Sequence, residues 1–289
     1  IMSSDWSSDV CSSDPLAAVN INNFQNAAES AGKYLETIEK GLQVTLRTLP
    51  PAAVFHSPSS NGNPSGHGKN RLFLLIGSEQ GMCGNFNQAV LGRLQREMKN
   101  DRSENTGQYC ISVGNKMNVL AESSGIELLR EYSLSTSMAH LDELTADIQI
   151  DVYRSMQEQK IGSVQIVYNR LEEGEQIFSS DVYNLYPVRQ EHLKKLRDRP
   201  WNSKRIPTVL TNRLIMFRKL LYHYFSAKLY MTIINSLAGE NAARLASMQA
   251  AERNIQEKKD VLYTQYNKVR QQSITSELLD IIGGFEVLS

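Results

Sequence analysis

"LASMQAAERNIQEKKDVLYTQYNKVRQQSIT", residues 245–275, decides how the rest of the chain is read. Its apolar residues Leu245, Met248, Ile255, Leu262, Tyr266 and Val269 recur at steps averaging near 3.5, with Glu252 and Lys259 interrupting. That spacing draws one narrow stripe along a helix. No proline follows Pro207, and only Gly239 interrupts the run to Gly283. The pattern therefore predicts a single helix of about 70 residues, on the order of 110 Å long if unbroken. Its far end carries Arg270, Gln271, Gln272, Ser273 and Thr275, where a helix packed into a core would be apolar. Gly283-Gly284 reads as the stop, because glycine tolerates the left-handed conformation needed just past a last turn.

A second stripe lies near the other end of the chain. Ile21, Phe24, Ala28, Ala31, Leu35, Ile38 and Leu42 alternate steps of three and four, so they too form a coiled-coil seam. This helix must end before Pro50-Pro51, since proline lacks an amide hydrogen and excludes the helical conformation from the residue before it. The two seams are expected to face each other as an antiparallel pair. Upstream, "IMSSDWSSDVCSSD" repeats Ser-Ser-Asp without an apolar period and lacks the basic start and apolar run of a signal peptide.

Between the helices the pattern changes. "RLFLLIG" (71–77), "QYCISVG" (108–114) and "SVQIVYN" (163–169) read as buried strands, with amphipathic helices over Asn85–Met98 and His140–Gln157. Alternation of this kind implies a compact α/β domain on a mainly parallel sheet. The expected divisions are a non-native or disordered leader (1–17), a coiled-coil helix (18–49), a flexible loop (50–70), the α/β domain (71–187), a basic linker (188–207) and the long helix (208–289). The fold class is α/β plus a long antiparallel α-helical coiled coil, with a Rossmann-like domain inserted between its helices.

Composition narrows the function. With 289 residues and 41% hydrophobic content the chain can bury a core, and 31 basic against 31 acidic residues give no bias toward nucleic acid or anionic lipid. Cys11, Cys83 and Cys110 are odd in number and widely spaced, which suggests neither a disulfide framework nor a zinc site and fits a reducing compartment. The run 188–207 holds seven Lys or Arg against two acids around Trp201, and reads as a solvated linker because the aromatic interleaving of a nucleic-acid surface is absent. Even Leu214–Leu237 is broken by Arg218, Lys219, His223 and Lys228, so no stretch reads as a membrane span.

No active site assembles from the pattern. In "GSEQGMCGN", Gly77, Gly81 and Gly84 are spaced four and three apart, which fits neither GxGxxG nor a P-loop. Gly81-Met82-Cys83-Gly84-Asn85 has the outline of a nucleophile elbow, but Asn85 stands where the final glycine belongs and no Asp and His follow at motif positions. The stretch reads as a turn packing a strand onto a helix. The five histidines, His56, His67, His140, His192 and His223, show no metal-ligand spacing. Tyr222, Tyr224, Phe225 and Tyr230 read as a packing stripe against the neighbouring domain. No cofactor is expected.

Two of these stretches carry a resemblance. "GSEQGMCGNFNQ" is similar to the strand-to-helix motif "SDRGLCGGxN" of the ATP synthase gamma subunit family. Residues from Leu237 to Gly284 resemble that family's C-terminal signature, in which "AARxxAM", "NxxR/K", "RQxxIT" and "EIxxG" follow in order. "VQIVYNR" and "NLYP" also resemble family positions, so the likeness runs from about residue 20 to the end. One departure stands out: family members begin with a basic helix that pairs along the tip of the C-terminal helix, and here the Ser-Ser-Asp stretch replaces its first part. The resemblance implies a non-catalytic rotor shaft, peripheral to the cytoplasmic face of a bacterial inner membrane. Its partners would be the alpha and beta head subunits, an epsilon-type subunit and the membrane ring of c subunits. It also implies that Arg270, Gln271, Thr275 and Glu277 meet those partners. A coiled-coil scaffold and a cysteine hydrolase using Cys83 are the rival readings.

Overall fold

The computed structural model describes residues 6–50, 69–100, 106–135, 138–172, 177–201 and 207–288. The elements run α1 (Trp6–Thr48), β1 (Asn70–Ile76), α2 (Phe86–Asn100), β2 (Gln108–Val113), α3 (Asn115–Ser123), β3 (Leu128–Tyr132), α4 (Met138–Glu158), β4 (Ile161–Leu171), β5 (Phe178–Tyr186), α5 (Gln190–Asp198) and α6 (Arg213–Leu288). They divide into two compact units, Ile1–Leu245 and Ala246–Ser289, so α6 contributes to both.

In the first unit a five-stranded sheet has the order β3-β2-β1-β4-β5. The pairs β1–β2, β1–β4 and β2–β3 are parallel, and β5 joins the edge of β4 antiparallel. Central β1 is apolar over consecutive residues because both its faces are covered. Leu72, Leu74 and Ile76 look to one side, where Leu141, Ile148 and Val152 of α4 and Leu229, Ile233 and Leu237 of α6 complete the core. Phe73 and Leu75 look to the other, onto Val90 and Leu94 of α2 and Met117 and Ala121 of α3. The early part of α6 is thus a structural layer of the sheet.

α1 packs antiparallel to that same part of α6. The Arg213 guanidinium donates to the Thr48 carbonyl at 3.2 Å. Gly41 faces Leu220, which a Cβ on it would meet at 3.2 Å. Phe24 joins the cluster of Leu229 and Ile233. The apolar stripe of α1 is therefore spent on residues 217–238: Leu35, Ile38, Leu42 and Leu46 are buried with Phe217, Tyr224 and Ala227.

This corrects the expected pairing of the two seams. The seam beyond Met248 is open to solvent, with Ile255, Leu262, Tyr266 and Val269 each about 60% exposed. Periodicity identifies a stripe but not its partner, and aromatic residues at 217–225 compete better for α1 than the sparser later seam. α6 also continues through Gly283 and Gly284 to Leu288 instead of stopping there. Glycine allows a left-handed stop without requiring one, and staying helical costs only about 1 kcal/mol per glycine.

Two further differences follow from burial. Within the stretch read as a solvated linker, Gln190–Asp198 is a helix that buries Leu193 and Leu196 against α1, beneath its basic face. The leader set aside by sequence is helical from Trp6. The loop expected over 50–70 lies mostly outside the described residues, as do His56 and His67.

Candidate functional site

The glycine-bearing stretch after β1 is an internally closed turn. The Ser78 amide donates to Asn87 Oδ1 at 2.8 Å, and Asn87 Nδ2 donates to Ser78 Oγ at 2.7 Å. Glu79 reaches sideways to the start of α3, where Oε2 accepts from the Asn115 and Leu134 amides at 3.1 and 2.7 Å and Oε1 from Ser133 Oγ at 2.9 Å. A carboxylate thus holds the helix N-terminus at which a nucleotide phosphate would sit. Met82 and Gly84 take φ of 62° and 59°, and Met82 is 75% exposed at the turn's crest.

Cys83 is buried, with its thiol directed at Ser78 Oγ (3.4 Å) and the Gln80 carbonyl (3.9 Å). Neither is a base. A nucleophile needs a general base within hydrogen-bond reach and access to substrate, so the geometry does not support a cysteine hydrolase. Cys83 instead packs with Phe86, Ala243 and Phe178, and the Phe86 and Phe178 rings meet edge to face at 5.1 Å.

Sequence reasoning missed what this turn docks against. Glu240 of α6 is 1% exposed, its carboxylate accepts from Arg244, and the Arg244 Nε donates to the Gly81 carbonyl at 3.4 Å. Asn169 of β4, fully buried, donates to the Phe86 carbonyl at 2.8 Å and accepts from Ser180 of β5 at 2.6 Å. The turn, α2, the sheet edge and α6 are thereby locked into one joint. The available signal was a Glu and an Arg four apart inside the small-residue run "LAGENAARLA", where nothing else is charged.

That joint titrates. Burial pushes the Glu240 carboxyl up from 4.5 to about 7, while Arg244 and the Gln80 backbone pull it down by less. Between pH 4.5 and pH 7 the folded chain holds a proton that the unfolded chain has released, so stability falls as pH rises through that window and levels off above it. The decline attributable to this one group is about 3 kcal/mol. Glu240→Gln keeps the shape and removes the titration. Urea unfolding at several pH values should show the wild-type decline flattened by that amount in the variant, and an identical slope in both would assign the proton elsewhere.

In the second unit every described side chain from 249 to 279 is exposed. Helical geometry splits the residues singled out by sequence between two faces: Arg270 and Glu277, seven apart, share one, while Gln271 and Thr275 share another roughly 100–140° around the axis. Thr275 Oγ1 donates back to the Gln271 carbonyl at 2.8 Å, and Glu277 accepts from Ser273 Oγ at 3.4 Å. Arg270 is exposed, and among the described residues its guanidinium has no ion-pair partner. The arrangement offers polar groups in several directions over an apolar stripe.

Comparison with known proteins places this architecture. A family model described as ATP synthase matches residues 13–288. The ATP synthase gamma chain of Clostridium acetobutylicum is 27% identical over 280 residues, covering 94% of this chain and 90% of that one. The gamma chain of Jannaschia sp. is 26% identical over 286 residues, with 94% and 91% covered. Among solved structures, a chain in the central stalk and c-ring of Tetrahymena thermophila mitochondrial ATP synthase aligns with a TM-score of 0.60 at 17% identity, over 84% of this chain and 99% of that chain. One in the Euglena gracilis mitochondrial ATP synthase aligns at 0.56 and 20% identity, over 94% and 95%. At those identities the structural likeness is one of fold.

Proposed function

We infer, from the premise that this chain belongs to the ATP synthase gamma family, that it is the central rotor shaft of an F-type ATP synthase. It carries rotation between a membrane ring of c subunits and a head of alternating alpha and beta subunits, and is itself non-catalytic. The observation that carries this reading is the second unit: more than thirty consecutive helical residues with all described side chains exposed, apolar ones included. Helices in proteins owe most of their stability to packing of an apolar face, so Ile255, Leu262, Tyr266 and Val269 are suited to a surrounding that this chain does not supply.

A shaft that turns within a ring meets several surfaces in succession. Contacts made and broken in this way favour polar groups on more than one face over a single deep apolar interface. Arg270 and Glu277 on one side, with Gln271 and Thr275 on the next, fit that demand. For a catalytic subunit to be driven through its conformations, the shaft must bind those conformations with different free energies. A helix whose faces differ in charge and polarity presents a different contact at each angle. In this reading α1 is paired antiparallel with the first part of α6 only, the exposed second unit is the part that meets the head subunits, and the sheet unit, Rossmann-like in its alternation of strands and helices, meets an epsilon-type subunit and the c ring.

No helix among the described residues is long and apolar enough to cross a membrane. In the rotor reading the chain meets the membrane only through its partners, at the cytoplasmic face of a bacterial inner membrane. Mixing the full chain with purified alpha and beta subunits tests the function. A complex with ATPase activity is expected, whereas a free-standing coiled-coil scaffold would give none.

A further inference from the structure

We propose that the half-open cavity lined by the end of β5, the first turn of α5 and residues 224–228 of α6 binds a phosphate group, either free or as a monoester. The cavity holds about 270 Å³ and is lined by Tyr183, Arg189, His192, Tyr224 and Lys228 among others. The inference is independent of the rotor reading, which gives these residues no task.

The charge balance of the cavity is incomplete. The Lys228 ammonium lies 5.5 Å from the Tyr183 ring centroid and 5.6 Å from that of Tyr224, and its neighbours are ring faces. The carboxylate whose charge reaches it, Glu39 of α1, pairs with Arg199 at 3.8 Å. Burial lowers the pKa of Lys228, with Glu39 opposing, and burial likewise lowers that of His192. Two basic groups thus share one half-buried cavity, and the carboxylate whose charge reaches both, Glu39, is already paired with Arg199. A bound anion would reverse both shifts.

The donors also suit a tetrahedral oxyanion. The Tyr183 and Tyr224 hydroxyls are 3.3 Å apart, and the Tyr224 hydroxyl is 3.2 Å from His192 Nε2, so a polar chain crosses the wall. Arg189 occupies the N-cap position of α5 and is exposed, and its side chain makes no cap; the His192 and Leu193 amides donate to its carbonyl at 2.9 and 3.2 Å, so the donors offered to an anion are side chains beside the positive helix end. Glu191 is the one acid in that turn. Ammonium, guanidinium, imidazole and phenol groups converge from three elements, more directions than the two oxygens of a planar carboxylate accept. The volume exceeds that of a bare phosphate and leaves room for an ester substituent.

Titration of the full chain with inorganic phosphate at constant ionic strength, followed by NMR of the His192 ring protons, tests the site. The expected result is a saturable shift with the His192 pKa rising, at least tenfold weaker binding in Lys228→Met, several-fold weaker binding in the exposed-site variant Arg189→Ala, and acetate at least tenfold weaker than phosphate. A shift that does not saturate, that is unchanged in Arg189→Ala and Lys228→Met, or that acetate matches would overturn the proposal. Parallel arms with glycerol 3-phosphate and with phosphatidate vesicles distinguish a soluble ester from a lipid headgroup. Binding to either supports a site for a phosphate ester of that kind, and saturable binding of inorganic phosphate alone supports a site for the free anion.

Discussion

In a complex reconstituted with head subunits and membrane ring, Arg270→Ala is expected to assemble normally and to weaken the driving contact with a catalytic subunit about tenfold, read as fewer ions pumped per ATP hydrolysed. The figure follows from removing one charge-assisted, bidentate hydrogen bond, worth roughly 1.5 kcal/mol or more. Arg270 is exposed and makes no ion pair within its own chain among the described residues, so the substitution leaves the fold unchanged and acts on what the side chain meets outside. Arg270→Lys should recover part of the loss, because it keeps the charge without the planar fork. Pumping at the wild-type ratio in Arg270→Ala would remove this residue from the driving contact.

The second large effect is structural. Gly114 joins β2 to α3 at φ +105°, and a Cβ placed there would lie 2.7 Å from the Ser78 carbonyl oxygen, which is backbone and cannot swing aside. Gly114 also donates its amide to the Tyr132 carbonyl at 2.8 Å, and Ser78 receives the Lys116 amide at 3.1 Å, so retreat would break two bonds of the joint. Gly114→Ala should destabilise the sheet unit by about 3–5 kcal/mol. Gly92 is the control, since a Cβ on its helix meets nothing within 4 Å. Gly92→Ala should be neutral or stabilising by up to about 1 kcal/mol. Thermal melts of the two variants moving in the same direction would contradict the geometry.

What could be read from sequence followed burial. β1, β2 and β4 were legible because central strands of a covered sheet are apolar on both faces, and the stripe of α1 because it is buried along its length, against α5 and the early part of α6. β3 and β5 were not, since edge strands are half-buried and carry residues such as Arg130, Glu131 and Asp181 that break an apolar run. α5 was hidden by its own basic face. The joint at Glu240 was invisible for a different reason: a buried carboxylate is recognised by what surrounds it, and its surroundings come from the turn between β1 and α2, more than 150 residues away in the chain. Arg270, Gln271, Thr275 and Glu277 of α6 are exposed, as side chains available to a partner must be, and their spacing on the helix divides them between two faces.

Rotation itself is the most direct measurement. With the alpha and beta ring fixed to a surface and a probe attached to the exposed Glu122 position on α3, ATP should drive the probe around in one direction. A ring that hydrolyses ATP and retains the chain while the probe stands still would contradict a shaft.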